Sequence, residues 1–462
     1  MRAAFVARAI NYGTLRAVNY DPLVERLRTA TPSHATRPLR KWVGELGKAY
    51  AAVLTRADCD PSLGDELVSQ VDAFASEPTG RWIRGDLMRF VEDLRIERGD
   101  ILLAGAGQIG RSTLFGRSVL ADARLAGKLA AADLMVLRGG GLTDEDLLFL
   151  FAFLGSRFGL SAVRSCAYGT SIPRMRPDLL SGIPVPVPTP AQRTRVVALI
   201  RETVEQRERY AVSLESARQV IEALPEMKEA HEACVDRHAR CVSWTDALPT
   251  ISAWTYASTG GALAMLRKRW ASRLGDVVPE DGLFRGNRFA RIPCDPPYGT
   301  DLLSQRDAFL VRAAPQRIAV TAHELERLTV PVGSLLVGGQ GTLGEGEIFG
   351  RVALVTDSFE GKAVTEHLLR IQPKPEYRGP IYAYLSTLVG LRLLRSAAVG
   401  TKLLSLRPDL LLQLPIPELT STQHRSIDSA VRAALAAHAT AMRSENEAIR
   451  IVEEEVLPQW LA

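Results

Sequence analysis

Asp295-Pro296-Pro297-Tyr298 is the sharpest chemical signal in the sequence. An aspartate and a proline carbonyl can accept hydrogen bonds from an exocyclic amine while a tyrosine stacks on the flipped base, an arrangement suited to methylating that amine. Gly105-Ala106-Gly107-Gln108-Ile109-Gly110 follows the apolar run Ile101–Leu103 and imitates a dinucleotide fingerprint, with Asp122 downstream. That reading needs a helix to open at the third glycine, facing a pyrophosphate. A second such stretch, Gly339–Gly344, runs on into Glu-Gly-Glu-Ile-Phe-Gly, which is β-like, so both are read as tight turns without a cofactor. His231, Cys234, His238 and Cys241 are zinc-type ligands. On a helix the first and last would lie ~15 Å apart along the axis, too far for one tetrahedral ion. Their spacing is that of a helix seam, and no metal is assigned.

The elements that carry these residues belong to a globular chain. It has 462 residues, 46% hydrophobic and 24% charged, which excludes a fibrous or largely disordered protein. The longest apolar run, Leu147–Gly155, is about half of the ~20 residues a membrane-spanning helix needs. Residues before Asp21 carry Arg2, Arg8 and Arg16 but no continuous apolar core of a secretory signal. Five scattered cysteines suit a reducing cytoplasm better than a disulfide scaffold. Lys plus Arg (57) against Asp plus Glu (52) leaves +5, a balance that tolerates an anionic partner.

Self-similarity is the strongest signal. Cys59–Phe74 and Cys294–Phe309 share ten of 16 positions at an offset of 235. Gly99–Arg117 and Gly333–Arg351 share eight of 19 without gaps. Ala167–Gln192 and Ala398–Gln423 share 12 of 26. Gly127-Lys128 matches Gly361-Lys362, and a weaker pairing of Trp42 with Trp270 and Gly47 with Gly275 extends each copy towards its start. In this alignment Asp295-Pro296-Pro297-Tyr298 falls on Asp60-Pro61-Ser62-Leu63, which lacks the aromatic. No doubly wound pattern surrounds either, so a turn is the better reading.

Each copy has one internal order. Short β-like runs (Ile101–Ala104, Leu134–Leu137; Leu335–Val337, Val352–Val355) precede an apolar helix, expected over Asp144–Phe153 and Ile381–Leu394. A Gly-Thr turn, Arg-Pro-Asp-Leu-Leu and a proline-rich extended strand follow (Ile183–Pro188; Leu414–Pro417). Then Val197, Ile200, Val204, Ala211, Leu214 and Ile221 recur at helical steps until Pro225. Ile427, Val431, Leu435, His438, Met442, Ile449, Val452 and Val456 do the same until Pro458. These seams are at coiled-coil spacing and predict an antiparallel pair of long helices with a globule at each end. The expected fold is therefore α/β (α+β): an N-terminal extension (1–41), a first domain (42–188), a central helix (189–241), a second domain (242–419) and a C-terminal helix (420–462).

This layout resembles the specificity (S) subunit of type I restriction–modification systems. The resemblance rests on Gly-Asp-Ile-Leu-Leu before the glycine stretch, on Gly-Thr with Arg-Pro-Asp-Leu-Leu, and on the closing IPVPVPTPAQ and LPIPELTSTQ, all in order and twice. It covers nearly the whole chain apart from 1–41. The family's Glu-Gln pair at the start of each helix stands here as Ala191-Gln192 and Thr422-Gln423.

The resemblance implies a chain with no catalysis of its own, whose two target-recognition domains each read one half of a split sequence in double-stranded DNA. It implies docked methyltransferase subunits that use S-adenosylmethionine on adenine N6, to which restriction/translocase subunits can be added. The alternatives are a self-sufficient adenine methyltransferase using Asp295 and Tyr298, and a tandem-repeat scaffold that binds only proteins.

Base readers should be cationic, amide or hydroxyl side chains on exposed loops. The candidates are Arg81, Arg84, Arg111 and Arg174 in the first domain, and Arg285, Asn287, Arg288, Gln340 and Lys402 in the second. Arg176 and Arg407, inside the repeated Arg-Pro-Asp-Leu-Leu, are read as structural, because readers of unlike half-sites should differ between copies.

Overall fold

The computed structural model describes residues 17–30, 35–46, 57–88, 91–108, 112–235, 253–257, 259, 261–344 and 346–461. The chain divides into two compact units, Met1–Glu208 with Thr440–Ala462, and Arg209–Ala439.

The strands of the first unit are β1 (Thr36–Pro38), β2 (Glu45–Leu46), β3 (Asp65–Val68), β4 (Arg81–Ile83), β5 (Ile101–Ala104), β6 (Ser118–Leu120), β7 (Leu129–Ala130), β8 (Leu134–Arg138), β9 (Ala167–Tyr168), β10 (Arg174–Met175) and β11 (Pro184–Pro186). An open antiparallel sheet runs β2-β8-β5-β6, and a second runs β4-β3-β7. All four residues of β5 are buried, so this strand has no polar face to show. Ile101, Leu103, Met135 and Leu137 share a core with the helix Glu145–Gly155, whose Leu147–Leu154 are all buried. Leu67, Ile83, Leu94 and Leu129 form a smaller core in the second sheet.

The second unit continues with β12 (Leu283–Arg285), β13 (Ile292–Pro293), β14 (Thr300–Leu303), β15 (Gln316–Ala319), β16 (Leu335–Gly338), β17 (Gln340–Gly341), β18 (Val352–Leu354), β19 (Ala363–Val364), β20 (Leu368–Ile371), β21 (Ala398–Val399) and β22 (Leu404–Leu406). Its sheets run β12-β20-β16-β18, β13-β15-β14-β19 and β17-β22-β21. The first two repeat the order of the first unit with one strand, β13, added. Both copies also keep one parallel pair, β3 with β7 and β14 with β19, among antiparallel neighbours.

The apolar helix expected over Ile381–Leu394 is two helices, Arg378–Leu385 and Leu388–Ser396. Thr387 breaks it by capping the second, its side chain accepting from the Gly390 N–H. Ser156 does the same for Gly159 ahead of Arg157–Arg164. The corner is tight enough to require glycine. An ideal Cβ on Gly390 would lie 2.3 Å from the Tyr384 carbonyl oxygen, and one on Gly159 would lie 2.0 Å from that of Phe153. Those neighbours are backbone and cannot rotate away. Gly390→Ala is expected to cost about 1–3 kcal/mol, read as a lower midpoint in chemical denaturation of the full chain; an unchanged midpoint would show that the corner relaxes freely.

The described part of 1–41 is built into the first unit. Val24 and Leu39 are in its main core, Asn19 donates to the carbonyls of Ser165 and Ala167, and β1 pairs with β11. The pairing of Trp42 with Trp270 is a correction. Leu39 donates to the Ile183 carbonyl and Leu274 to that of Leu414, so Leu39 and Leu274 are the equivalent positions. Both tryptophans do pack on the apolar helix, but at places that do not correspond: Trp42 stacks on Phe149, whereas Trp270 meets Tyr384 edge-on. In the capped-helix register Tyr384 corresponds to Phe153, one turn from Phe149.

The first long helix is Pro190–Glu222, followed after Ala223-Leu224 by a helix that Pro225 opens, Pro225–Val235. The second is Ser421–Ile451, and a π-helical turn over Val452–Val456 precedes Pro458. Gln192 and Gln423 are capping-box residues: each accepts from the backbone N–H and hydroxyl of the threonine three residues before it, Thr189 or Thr420. Within the first unit the two helices run antiparallel, with Arg195 on Glu455 and Arg207 on Glu445. Val197, Ile200 and Val204 pack there with Ile451, Val452 and Val456. Within the second unit Leu214 and Ile221 share a core with Ile427 and Val431, and Tyr210 lies against His438.

Among the described residues no single helix is long and apolar enough to cross a membrane. The four cysteines described, Cys59, Cys166, Cys234 and Cys294, are free thiols.

Candidate nucleic-acid interface

The motifs with apparent chemistry resolve into turns. Asp295–Tyr298 is an exposed turn in which the Tyr298 N–H donates to the Asp295 carbonyl, and the Tyr298 carbonyl accepts from Arg317 Nε. Gly299 lies against Cys294 Sγ and the Ile318 carbonyl, just as Gly64 lies against Cys59 Sγ and the Ile83 carbonyl. The two turns occupy equivalent places but differ in backbone, since Pro296-Pro297 is cis and Gly299 has φ +68° whereas Gly64 is extended. Gly339 leads into strand β17, not into a helix N-terminus. In the first copy, Ile109–Arg111 lie outside the described residues, and Ala106 makes the equivalent bridge to Arg174.

His238 and Cys241 also lie outside the described residues. His231 is exposed, whereas Cys234 is buried, its thiol pushed up to about 11 by burial and donating to the Thr259 carbonyl. Among the described residues, no group of three His, Cys, Asp or Glu is placed to hold a metal ion.

A single backbone frame recurs around the two glycine stretches. The Gly105 N–H donates to the Asp133 carbonyl at 2.9 Å and the Gly339 N–H to the His367 carbonyl at 2.9 Å. The Met175 N–H reaches the Gly105 carbonyl at 3.2 Å, and the Leu406 N–H reaches that of Gly339 at 3.2 Å. One side chain in each copy completes the frame. Gln70 Nε2 donates to the Ala106 carbonyl at 2.9 Å, while its Oε1 accepts the Ala106 N–H. Gln305 does the same to Gln340, at 2.8 Å. These amides bond a peptide group as a neighbouring strand would, satisfying backbone that the short sheets leave unpaired.

Ser69 with Asp72, and Ser304 with Asp307, cap the turns that present the two glutamines. Neither glutamine stood out as a functional residue in the sequence, although the repeated Ser-Gln-x-Asp-Ala-Phe holds the signal. Arg164 and Arg395 also repeat, each donating through Nε to the carbonyl of Phe115 or Phe349. Arg176 and Arg407 each pair with the aspartate two residues on, Asp178 or Asp409, which is a structural use.

The side chains mounted on this frame are different in the two units. In the first, Arg174 on β10 has its Nη2 at 3.5 Å from Asp133 Oδ1, and both side chains are about half exposed. In the second, Gln340 lies between His367, whose Nδ1 meets its Oε1, and Ser405, whose Oγ lies at 3.4 Å from its Nε2. Glu366 borders His367 and pairs with Arg291.

Arg285, at the end of β12, reaches the same hairpin, donating to the carbonyls of Gly339 and Leu406. Burial lowers its pKa, and the bonds to these two carbonyls tie the loop to the sheet. Lys402 is exposed in the β21–β22 turn, and Asn287 and Arg288 are exposed in the loop after β12. Beneath that loop, Arg370 is fully buried, donates to the Val364 carbonyl and has Gly286 backbone packed on its guanidinium. Arg81 and Arg84 belong to the other sheet and its edge, where they pair with Asp58 and Asp86. The bond to Asp86 raises the Arg84 pKa further. Arg111 lies outside the described residues. The structure thus brings Arg285, Gln340 and Lys402 to one hairpin sheet and puts Arg174 at the equivalent place in the other copy.

Neither a protein-family model nor a curated protein matches the chain. Solved structures do. A type I restriction–modification S subunit from M. genitalium is 12% identical over 92% of this chain and 95% of its own, with a TM-score of 0.30. The HsdS subunit from Thermoanaerobacter tengcongensis is 16% identical over 93% and 97%, with a TM-score of 0.27. A structure described as underlying complex assembly and conformational transition of the type I R-M system is 17% identical over 88% and 96%, with a TM-score of 0.25. The chain is similar to each of these over most of both lengths.

Proposed function

We propose that this chain is a non-catalytic DNA sequence-specificity subunit that reads an asymmetric, two-part target in double-stranded DNA. Its two readers position adenine-N6 methyltransferase subunits, and the S-adenosylmethionine belongs to those partners. The observation that carries the reading is the repeated frame with unlike side chains. Gln70 and Gln305 fix the same backbone in both units, while Arg174 with Asp133 in one, and Gln340 with His367 and Ser405 in the other, present different hydrogen-bonding groups from it. Arginine pairs best with guanine and glutamine with adenine in the major groove, so two such surfaces suit two unlike half-sites. The exposed turn at Asp295–Tyr298 has a counterpart at the equivalent place in the first unit, where Gly64 abuts Cys59 Sγ and the Ile83 carbonyl as Gly299 abuts Cys294 Sγ and the Ile318 carbonyl, which supports a turn there over a catalytic loop.

Single-molecule sequencing of host DNA with and without the gene, the partner methyltransferase being expressed, tests this. A methylated, asymmetric, two-part motif that disappears with the gene is the expected result. Unchanged adenine methylation would overturn the proposal and favour a scaffold that binds only proteins.

A further inference from the structure

The positions where the two copies share backbone bonds but not side chains can be separated from the rest of the surface. Positions 106, 133 and 174 correspond to 340, 367 and 405. Ala106 bridges Arg174 as Gln340 pairs with Ser405, and the carbonyls of Asp133 and His367 accept from Gly105 and Gly339. In this neighbourhood the side chains that bond the frame are matched, Gln70 and Gln305, Arg164 and Arg395, Arg176 and Arg407, whereas across the hairpin from Arg174 and Ser405 stand the unlike Tyr168 and Val399. Framing needs the same groups in both units, and those groups have stayed the same. Ala106 is buried, but Arg174 is half exposed and Gln340 partly exposed, and side chains that differ there on an unchanged frame answer to something that differs between the two ends of the ligand.

Resting on the specificity-subunit reading, we infer that positions 106, 133 and 174, with 340, 367 and 405, set which base pair each half-site accepts, and that Arg174 and Gln340 are the side chains that meet the base edges. Arg174 offers two N–H groups to O6 and N7 of a guanine, and the Asp133 carboxylate, its Oδ1 at 3.5 Å from Nη2, draws the guanidinium to that side without a hydrogen bond. Asp133 is a positioning residue. Gln340 offers one donor and one acceptor to N7 and N6 of an adenine. Its amide oxygen has two lone pairs and its nitrogen two hydrogens, so the contacts to His367 and Ser405 use one of each and leave one of each for the base. His367 and Ser405 fix which end of the amide is which.

The test uses the full chain with its partner methyltransferase, the parent and three single variants, Arg174→Gln, Gln340→Arg and Asp133→Asn. Each is presented with a pool of randomised duplexes, and the bound sequences and the host methylation motif are read together. Arg174→Gln is expected to lower selectivity at one base pair of one half-site by about tenfold and to leave the other half intact. Gln340→Arg should do the same in the opposite half. Asp133→Asn should weaken the same base pair as Arg174→Gln and no other, which loss of fold would not do. Thermal unfolding identifies any variant that fails to fold, and the other two then decide. Selection of the parental pool by folded variants would overturn the assignment, as would a change in both halves at once. Variants that keep the parental pool but lose the methyltransferase would assign these positions to the protein partner instead. Failure of the underlying reading looks different: the parent itself would select no sequence.

Discussion

Glu445→Ala should lower the unfolding free energy of the first unit by about 3–5 kcal/mol. Arg207 and Glu445 face each other across the antiparallel helices at 2.6 Å, with side-chain exposures of 9% and 6%. Removing the carboxylate takes the opposite charge from a buried guanidinium between the helices, and the desolvation that this charge no longer offsets is the main cost. Thr203 and Ser444, both buried, sit nearby on the same helices, with Ser444 donating to Glu202. Replacing both charges by methionine should recover most of the loss, because an apolar pair of similar volume removes the desolvation cost along with the attraction. Chemical denaturation of the full chain measures both. A loss below about 1 kcal/mol for Glu445→Ala would put the pair in the class of solvated surface bridges and refute its role in holding the helices.

Exchange of the first domain for that of a relative with a different target is expected to replace one half of the methylated motif completely and leave the other unchanged. The structure bears on where to cut. An exchange limited to 42–188 would separate β11 from its partner Thr36–Pro38 and leave Val24 and Leu39 facing a core they did not evolve with. Starting the exchange at residue 17 keeps these together, and Asn19 with its acceptors at Ser165 and Ala167. The chimera starting at 17 should therefore yield more folded protein than the one starting at 42, and it should methylate the hybrid motif. Sequencing of host DNA reads the motif, and a change in both halves would end the idea of independent readers.

The duplication was legible because the features that repeat are those a fold cannot vary. Gln70 and Gln305 bond one peptide group in each copy, and the capping threonines and glutamines at 189, 192, 420 and 423 satisfy helix N-termini. Identity therefore survives at these positions, and a search for identity finds them. The same search is blind to Asp133 and His367, whose value in this structure lies in being different at one shared place. It also misplaces the start of each copy, because Trp42 and Trp270 share a residue type and pack on corresponding helices, whereas Leu39 and Leu274 make the shared bond. Arg285 was legible as a cation near a glycine but not as a residue committed to two carbonyls, since nothing local in the sequence shows that β12 ends beside the hairpin of β21 and β22.

The first unit closes its core with Ala448, Ile451, Val452, Val456 and Leu457, residues that follow the entire second unit in the chain. During synthesis the N-terminal part of a protein ordinarily folds as it emerges. Here the segment up to Glu208 leaves the ribosome with Val197, Ile200 and Val204 uncovered, and it must wait for the other globule to be made before they are sealed. The order of assembly is thus the reverse of the order of reading. The second globule, whose segments lie between Arg209 and Ala439, can be completed first. Until then the exposed stripe on the first helix is the point at which a chaperone would be needed, or at which two nascent chains would aggregate.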